Sequence, residues 1–230
     1  RPCRTMVVGH LSAAEYRGDS DTMSRHTGPN CRFCRREGAK LFLKGERCNL
    51  EKCSFERRSY APGQHGQGMR RKQSDYSVQL RAKQKLARLY GIREGQFRGY
   101  YKEASRVPGV SGENLLRLLE GRLDNIVYRL GFAASRKAAR QLVRHNHIMV
   151  NGKRVNIPSF LTRMGDVVQV AERSRQLESI HESLRRSREI VPWLAVDKVN
   201  LNGTVSEVPS RDDIPTVAEE QLVIEFYSRV

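Results

Sequence analysis

The chain has 230 residues, 38% of them apolar, and its 42 Lys and Arg residues against 25 Asp and Glu residues give a formal net charge of +17. Such an excess repels itself in a compact chain unless a polyanion screens it, which indicates a nucleic acid or an anionic membrane surface as partner. No run of about 18 apolar residues occurs, which excludes a membrane-spanning helix. The first ten residues do not resemble a secretory signal, so the predicted location is cytosolic or in an organellar matrix.

Residues 1–22 carry no periodic apolar pattern, and Met23 follows a polar run at their end. Two interpretations stay open. Either Met23 is the initiator and the preceding residues are an over-extended start, or residues 1–22 form a real N-terminal tail.

Four cysteines mark the basic segment that follows, and they are Cys31, Cys34, Cys48 and Cys53. Their spacing of two, thirteen and four intervening residues predicts a tetrahedral zinc site, with an iron–sulfur cluster as the alternative and free thiols as an interpretation that leaves the spacing unexplained. Because protein ligands would fill all four positions, the ion is predicted to be structural and to order residues 31–53. A Gly-rich loop follows at residues 61–68.

Helical periodicity begins at Ser74, a plausible N-cap, and the first helix is predicted to end at Gly91. Further helices are predicted over residues 94–105, from Ser111, and over residues 123–130.

Ser135 is predicted to cap a short helix over residues 136–145, in which Arg136, Arg140 and Arg144 follow one another at four-residue spacing and form one stripe. Like charges so spaced repel in an isolated helix, so the stripe indicates an anionic partner. Asn151-Gly152 then predicts a hairpin turn between two strands, and the second strand carries Lys153 and Arg154.

The remaining sequence predicts a strand over residues 167–170 and an exposed helix over residues 174–188. Strand-like runs then follow at residues 193–196, 205–208 and 222–226. The fold class is therefore α+β, with a zinc-stapled N-terminal segment, a helical lobe, and a small module of helices and an antiparallel sheet. The predicted segments are an extension (1–22), the zinc-binding segment and Gly-rich loop (23–73), the helical lobe (74–120), an RNA-binding module (121–190) and C-terminal strands packing on both lobes (191–230).

Enzyme motifs are absent from the sequence, which contains no phosphate-binding Gly-Lys-Ser/Thr loop, no Gly-x-Ser-x-Gly and no His-Glu-x-x-His. We therefore predict no catalytic residue and no small-molecule substrate. An RNA-modifying enzyme would need a catalytic domain for which no chain length remains. A membrane-surface protein would need a basic amphipathic helix with Trp or Phe on its apolar face, whereas Trp193 lies in a strand-like run.

Residues 122–132, 135–143 and 150–152 resemble the RNA-binding module named after bacterial small-subunit ribosomal protein S four. Residues 62–66 and 220–229 are similar to that ribosomal protein family itself, and the resemblance runs from about Met23 to the C-terminus. The cysteine quartet resembles the zinc-bearing branch of the family.

The resemblance implies a structural protein that binds 16S rRNA early in assembly of the small (30S) subunit. It further implies a position near the mRNA entry channel and an effect on translational accuracy. It also implies small-subunit proteins S three and S five as neighbours, mRNA as a partner near residues 70–72, and a cytoplasmic location in the ribosome, with no membrane partner. The residues predicted to contact RNA are basic or polar, and they are Arg35, Arg36, Arg57, Arg58, Gln64, His65, Arg70, Arg71, Lys72, Arg81, Lys83, Lys85, Ser135, Arg136, Lys137, Arg140, Arg144, His145, Lys153 and Arg154.

Overall fold

The computed structural model describes residue 26 and residues 28–68, 72–186, 191–215 and 219–229. The described α-helices are α1 Cys31–Glu37, α2 Ser54–Arg57, α3 Asp75–Tyr90, α4 Glu94–Arg106, α5 Ser111–Glu120, α6 Leu123–Arg129, α7 Arg136–Arg144, α8 Glu178–Arg185 and α9 Glu220–Ser228. The described strands are β1 Ile148–Val150, β2 Lys153–Arg154, β3 Val167–Val170, β4 Leu194–Asp197 and β5 Asn202–Val205. Short 3-10 turns occupy Gly45–Cys48 and Glu172–Ser174.

The first helix of the helical lobe, α3, begins directly after Ser74, the residue predicted to cap it. The Ser74 hydroxyl accepts a hydrogen bond from the backbone N–H of Ser77, and Gly91 adopts the left-handed conformation that ends α3. Helices α4 and α5 pack against each other, and α9 returns from the C-terminus to pack on α3 and α5.

The C-terminal element corrects one prediction, because residues 222–226 are part of helix α9 and not a strand. Val223, Phe226 and Tyr227 are buried, and their spacing places them on one helical face. The β-branched pair Val223-Ile224 favours a strand locally. Packing against α3 and α4 overrides that preference. On α4, Tyr227 stacks on Tyr101, with ring centres 4.7 Å apart, and its hydroxyl donates to Glu94 at 2.6 Å.

The five strands form one antiparallel sheet in the order β2-β1-β3-β5-β4. The predicted Asn-Gly hairpin is present between β1 and β2. Asn151 and Gly152 have φ values of 49° and 75°, as the tightest hairpin turn requires. Gly203 in β5 lies directly against α6, because a Cβ at that position would meet Leu130 Cδ2 at 2.3 Å.

These elements confirm the α+β class, with a helical lobe and a small antiparallel sheet. Helix α8 begins at Glu178 rather than at the predicted residue 174, and residues 187 and 188 of that prediction lie outside the described residues. The strand predicted at residues 205–208 lies three residues earlier, as β5 at Asn202–Val205. The five segment boundaries stay a prediction, although β4 and β5 continue the sheet that β1 to β3 begin.

Among the described residues, no helix combines the length and the apolar character that crossing a bilayer requires.

Candidate nucleic-acid interface

Helix α7 carries the predicted Arg stripe, and its first turn is capped as predicted. The Ser135 hydroxyl accepts from the backbone N–H of Ala138 at 3.3 Å. Lys137 is exposed and its ammonium donates to Asn30 Oδ1 at 2.7 Å, which ties α7 to the N-terminal segment.

Arg136 turns inward rather than lining a continuous stripe. Its guanidinium lies 4.6 Å from the ring centre of Tyr128 and 4.9 Å from that of Tyr90, and its Nε donates to Asn125 at 2.8 Å. Burial lowers the pKa of Arg136, and the neighbouring Arg129 lowers it further. Arg136 therefore joins α7 to α3 and α6.

Arg140 is held by a carboxylate of α6. Its Nη1 donates to Asp124 at 3.1 Å, and the same carboxylate binds Arg122 through two hydrogen bonds of 3.0 and 2.7 Å. The side chain of Arg122 is fully buried, whereas that of Arg140 is 22% exposed. One carboxylate of α6 therefore holds two guanidiniums, of which only that of Arg140 reaches the surface.

Predicted RNA contacts at the end of α7 and on the edge strand β2 are exposed, and they are Arg144, His145, Lys153 and Arg154. The hairpin that carries β2 is anchored, since Asn151 Nδ2 donates to Asp166 at 2.8 Å and Asn151 Oδ1 accepts from Val167 N–H at 2.9 Å. Fixed backbone geometry at the turn limits the freedom of the cations beside it, which suits recognition of a rigid phosphate array.

Lys83, another predicted contact, is buried in the helical lobe. Its side chain is 6% exposed, and its ammonium pairs with Glu94 at 2.7 Å while lying 5.0 Å from the ring centre of Phe226. A lysine so placed joins α3 to α4 and α9 and does not face solvent.

The N-terminal segment supplies a second group of cations. Arg35 donates from Nε to the carbonyl of Tyr60 at 3.0 Å and so holds the Gly-rich loop against α1. Within that loop a Cβ on Gly66 would lie 1.9 Å from the Ala61 carbonyl oxygen, so only glycine fits. The exposed predicted contacts of this segment are Arg36, Arg57, Arg58, Gln64, His65 and Lys72. On α3, the predicted contacts Arg81 and Lys85 are partly exposed. Arg70 and Arg71 lie outside the described residues.

A buried network around Glu120 was missed by sequence reasoning. Its fully buried carboxylate accepts from the Tyr90 hydroxyl at 2.6 Å, from Asn125 at 2.6 Å, and from Arg129 at 3.0 and 2.6 Å. Burial raises the pKa of Glu120, but the charge and hydrogen bonds of Arg129 outweigh it, so the net pKa is lowered. The network joins α3, α5 and α6 beneath Arg136.

The four predicted metal ligands carry free thiols, and Cys34, Cys48 and Cys53 are buried. Burial raises the pKa of Cys34, a backbone hydrogen bond from Leu41 opposes the rise, and the nearby sulfurs of the other three cysteines add to it. The four sulfurs therefore lie within electrostatic range of one another. In the described part of the chain, however, no three His, Cys, Asp or Glu side chains are arranged to hold a metal ion.

A helix, an anchored Asn-Gly hairpin and an antiparallel sheet that present exposed cations, on a chain of net charge +17, define a nucleic-acid-binding protein.

Comparison with known proteins narrows this class. The family model described as the ribosomal protein S4/S9 N-terminal domain matches residues 25–120, and the S4 domain matches residues 121–168. The chain is 59% identical over 209 residues to the small ribosomal subunit protein uS4 of Citrifermentans bemidjiense, an alignment that covers 90% of this chain and 100% of the relative. Over the same length and shares it is 58% identical to uS4 of Geobacter sulfurreducens and 57% identical to uS4 of Thermus thermophilus. The chain therefore belongs to the uS4 family of small-ribosomal-subunit proteins.

Proposed function

We infer that this chain is a structural rRNA-binding protein of the small ribosomal subunit and not an enzyme. The observation that carries the inference is the match of the ribosomal protein S4/S9 N-terminal domain to residues 25–120, followed directly by the S4 domain at residues 121–168. Together the two matches include α1 to α7 and strands β1 and β2 in full. A net charge of +17 supplies the affinity, because each phosphate that a Lys or Arg neutralises releases a condensed counterion. Family membership also confirms the predicted location, in cytoplasmic ribosomes.

The RNA contacts follow from exposure. We propose that Arg144, His145, Lys153 and Arg154 bind the phosphates and 2′-hydroxyls of folded 16S rRNA, and that the exposed cations of the N-terminal segment form a second contact area. Recognition by shape suits A-form RNA, because protein side chains cannot reach the base edges in its deep, narrow major groove.

The finer assignments are supported by the family resemblance. We propose that the protein binds 16S rRNA early in subunit assembly, neighbours small-subunit proteins S three and S five, and lines the mRNA entry side, where it influences translational accuracy. Small subunits are purified from cells that lack the protein, and the ribosomal proteins missing from them are identified. This measurement tests both the order of assembly and the proposed protein neighbours.

We also propose that the chain belongs to the zinc-bearing branch, with Cys31, Cys34, Cys48 and Cys53 holding one structural zinc ion or, alternatively, an iron–sulfur cluster. Four thiols with three of them buried are a chemically suitable donor set, and the Leu41 hydrogen bond stabilises a thiolate at Cys34. The bound ion would supply a crosslink between α1 and the 3-10 turn at Gly45–Cys48. Elemental analysis of the purified protein separates zinc from iron, and finding neither metal contradicts the site.

The function itself is tested by binding. The purified full chain is titrated with in vitro transcribed 16S rRNA between 50 and roughly 300 mM salt, and the slope of log K against log salt is measured. We expect tight binding with a steep negative slope and protection of a discrete rRNA region. Binding that is equally tight to an unrelated RNA of the same length, or no binding at moderate salt, contradicts the proposal.

A further inference from the structure

The last residue of α1 is a buried carboxylate surrounded by cations. The side chain of Glu37 is 2% exposed and forms ion pairs with the guanidinium of Arg88 and, at 3.4 Å, with that of Arg81. Arg36 and Lys85 also lie close enough to act on this carboxylate. We call these five residues the Glu37 cluster; it combines four cations with one anion and so has a net charge of +3.

The charges of the Glu37 cluster are unbalanced in the protein alone. Arg81, Lys85 and Arg88 follow each other on one face of α3 at four- and three-residue spacing, where like charges repel. Burial lowers the pKa of Arg88; Glu37 opposes that effect, and Arg81 and Arg36 add to it. One cation is enough to neutralise Glu37. The other three positive charges repel one another and destabilise the fold unless an anion from outside the chain balances them.

The two guanidiniums that bind Glu37 are held firmly but remain accessible. The Arg88 guanidinium lies 4.5 Å from the ring centre of Phe33, so α1 contributes both a stacking surface and a carboxylate. The side chains of Arg81 and Arg88 are 32% and 22% exposed. A guanidinium carries five N–H donors, and the contact with Glu37 leaves donors on each for a further acceptor.

We propose that Glu37 is a positioning residue for RNA binding: its buried carboxylate orients Arg81 and Arg88 so that the Glu37 cluster binds a backbone phosphate of rRNA. The inference rests on the proposed function. A phosphodiester carries the negative charge that the cluster lacks, and its oxygens accept paired N–H donors from an oriented guanidinium.

The variant Glu37→Gln separates positioning from simple charge. By charge alone, removing an acid from a protein that binds RNA strengthens binding. Glu182→Gln is the matched control, because Glu182 on α8 is an exposed acid paired with Arg186 and the change in charge is the same. Both full-length variants are titrated with 16S rRNA across the salt range, and their circular dichroism and melting temperatures are recorded.

We expect Glu182→Gln to bind as tightly as the wild type or slightly more tightly. Glu37→Gln is expected to bind about fivefold more weakly at 0.15 M salt, with a salt slope shallower by about one, which corresponds to the loss of one phosphate contact. Binding by Glu37→Gln that equals or exceeds that of Glu182→Gln overturns the proposal.

A second pair of variants decides the matter if Glu37→Gln does not fold. Lys85→Gln removes a cation of the cluster, and Lys198→Gln removes an exposed lysine at the turn between β4 and β5. We expect only Lys85→Gln to reduce the slope by about one. Equal slopes in the two variants overturn the proposal, whereas failure of the wild type to bind 16S rRNA contradicts the proposed function itself.

Discussion

Replacing Glu120 by Gln tests whether the buried network holds the helical lobe and the RNA-binding module together. The substitution keeps the size of the side chain but removes the charge that balances Arg129. Breaking a buried ion pair by removing one partner costs roughly 3–5 kcal/mol, because the remaining charge stays buried without compensation. The amide oxygen still accepts from Tyr90, so we expect the lower end, a loss of about 3 kcal/mol in the free energy of unfolding.

Urea unfolding followed by circular dichroism measures this loss, and Glu113→Gln on the same helix is the control. Glu113 pairs with Arg117 at 3.4 Å with side chains 35% and 41% exposed, so its loss is expected to cost about 0.5 kcal/mol or less. If Glu120→Gln costs no more than Glu113→Gln, the network does not stabilise the fold as we infer.

The pH dependence of the same comparison provides an independent check. The pKa of Glu120 lies below its ordinary value of 4.5, so its charged form stabilises the folded protein at neutral pH. The stability gap between the wild type and Glu120→Gln is therefore expected to be constant above about pH 5 and to narrow as the pH falls through the lowered pKa of Glu120. A gap that widens on acidification contradicts the assigned direction.

Three further predictions concern the surface, the interior and the metal. Arg144→Ala is expected to reduce the salt slope of rRNA binding by about one without changing the melting temperature. Arg136→Ala is expected to lower the melting temperature, because it removes a side chain that packs on the rings of Tyr90 and Tyr128. The reverse pattern contradicts the assignment of Arg144 to the surface and of Arg136 to the interior. Gly203→Ala is expected to cost about 1–3 kcal/mol of stability because the new methyl group meets the buried Leu130 side chain. Gly95→Ala in an open part of α4 is expected to be neutral or stabilising, and a Gly203→Ala that is equally well tolerated means that the Leu130 side chain can move aside. Chelation of a bound metal is expected to reduce the protease resistance of residues 31–53 while the S4 domain at residues 121–168 stays protected; unchanged resistance contradicts a structural ion.

Local signals in the sequence predicted most helices and the hairpin. Ser74 and Ser135 cap helices because a side-chain oxygen satisfies a nearby backbone N–H, and this requires only residues three positions away. Asn151-Gly152 forms the turn because both residues accept a positive φ. The same local reasoning wrongly predicted a strand at residues 222–226. These residues form a helix because they pack against α3 and α5, which are distant in sequence.

The sequence by itself determined that this protein is strongly basic, α+β, and a member of a ribosomal RNA-binding class, because charge, periodicity and motif are properties of the chain. Only the tertiary structure decided which cations face outward. Arg and Lys have long apolar stems and polar ends, so the same side chain reaches either solvent or a buried partner. Arg88 reaches Glu37 from 51 residues away and Lys83 reaches Glu94 from 11, and these pairings exist only once the helices have packed.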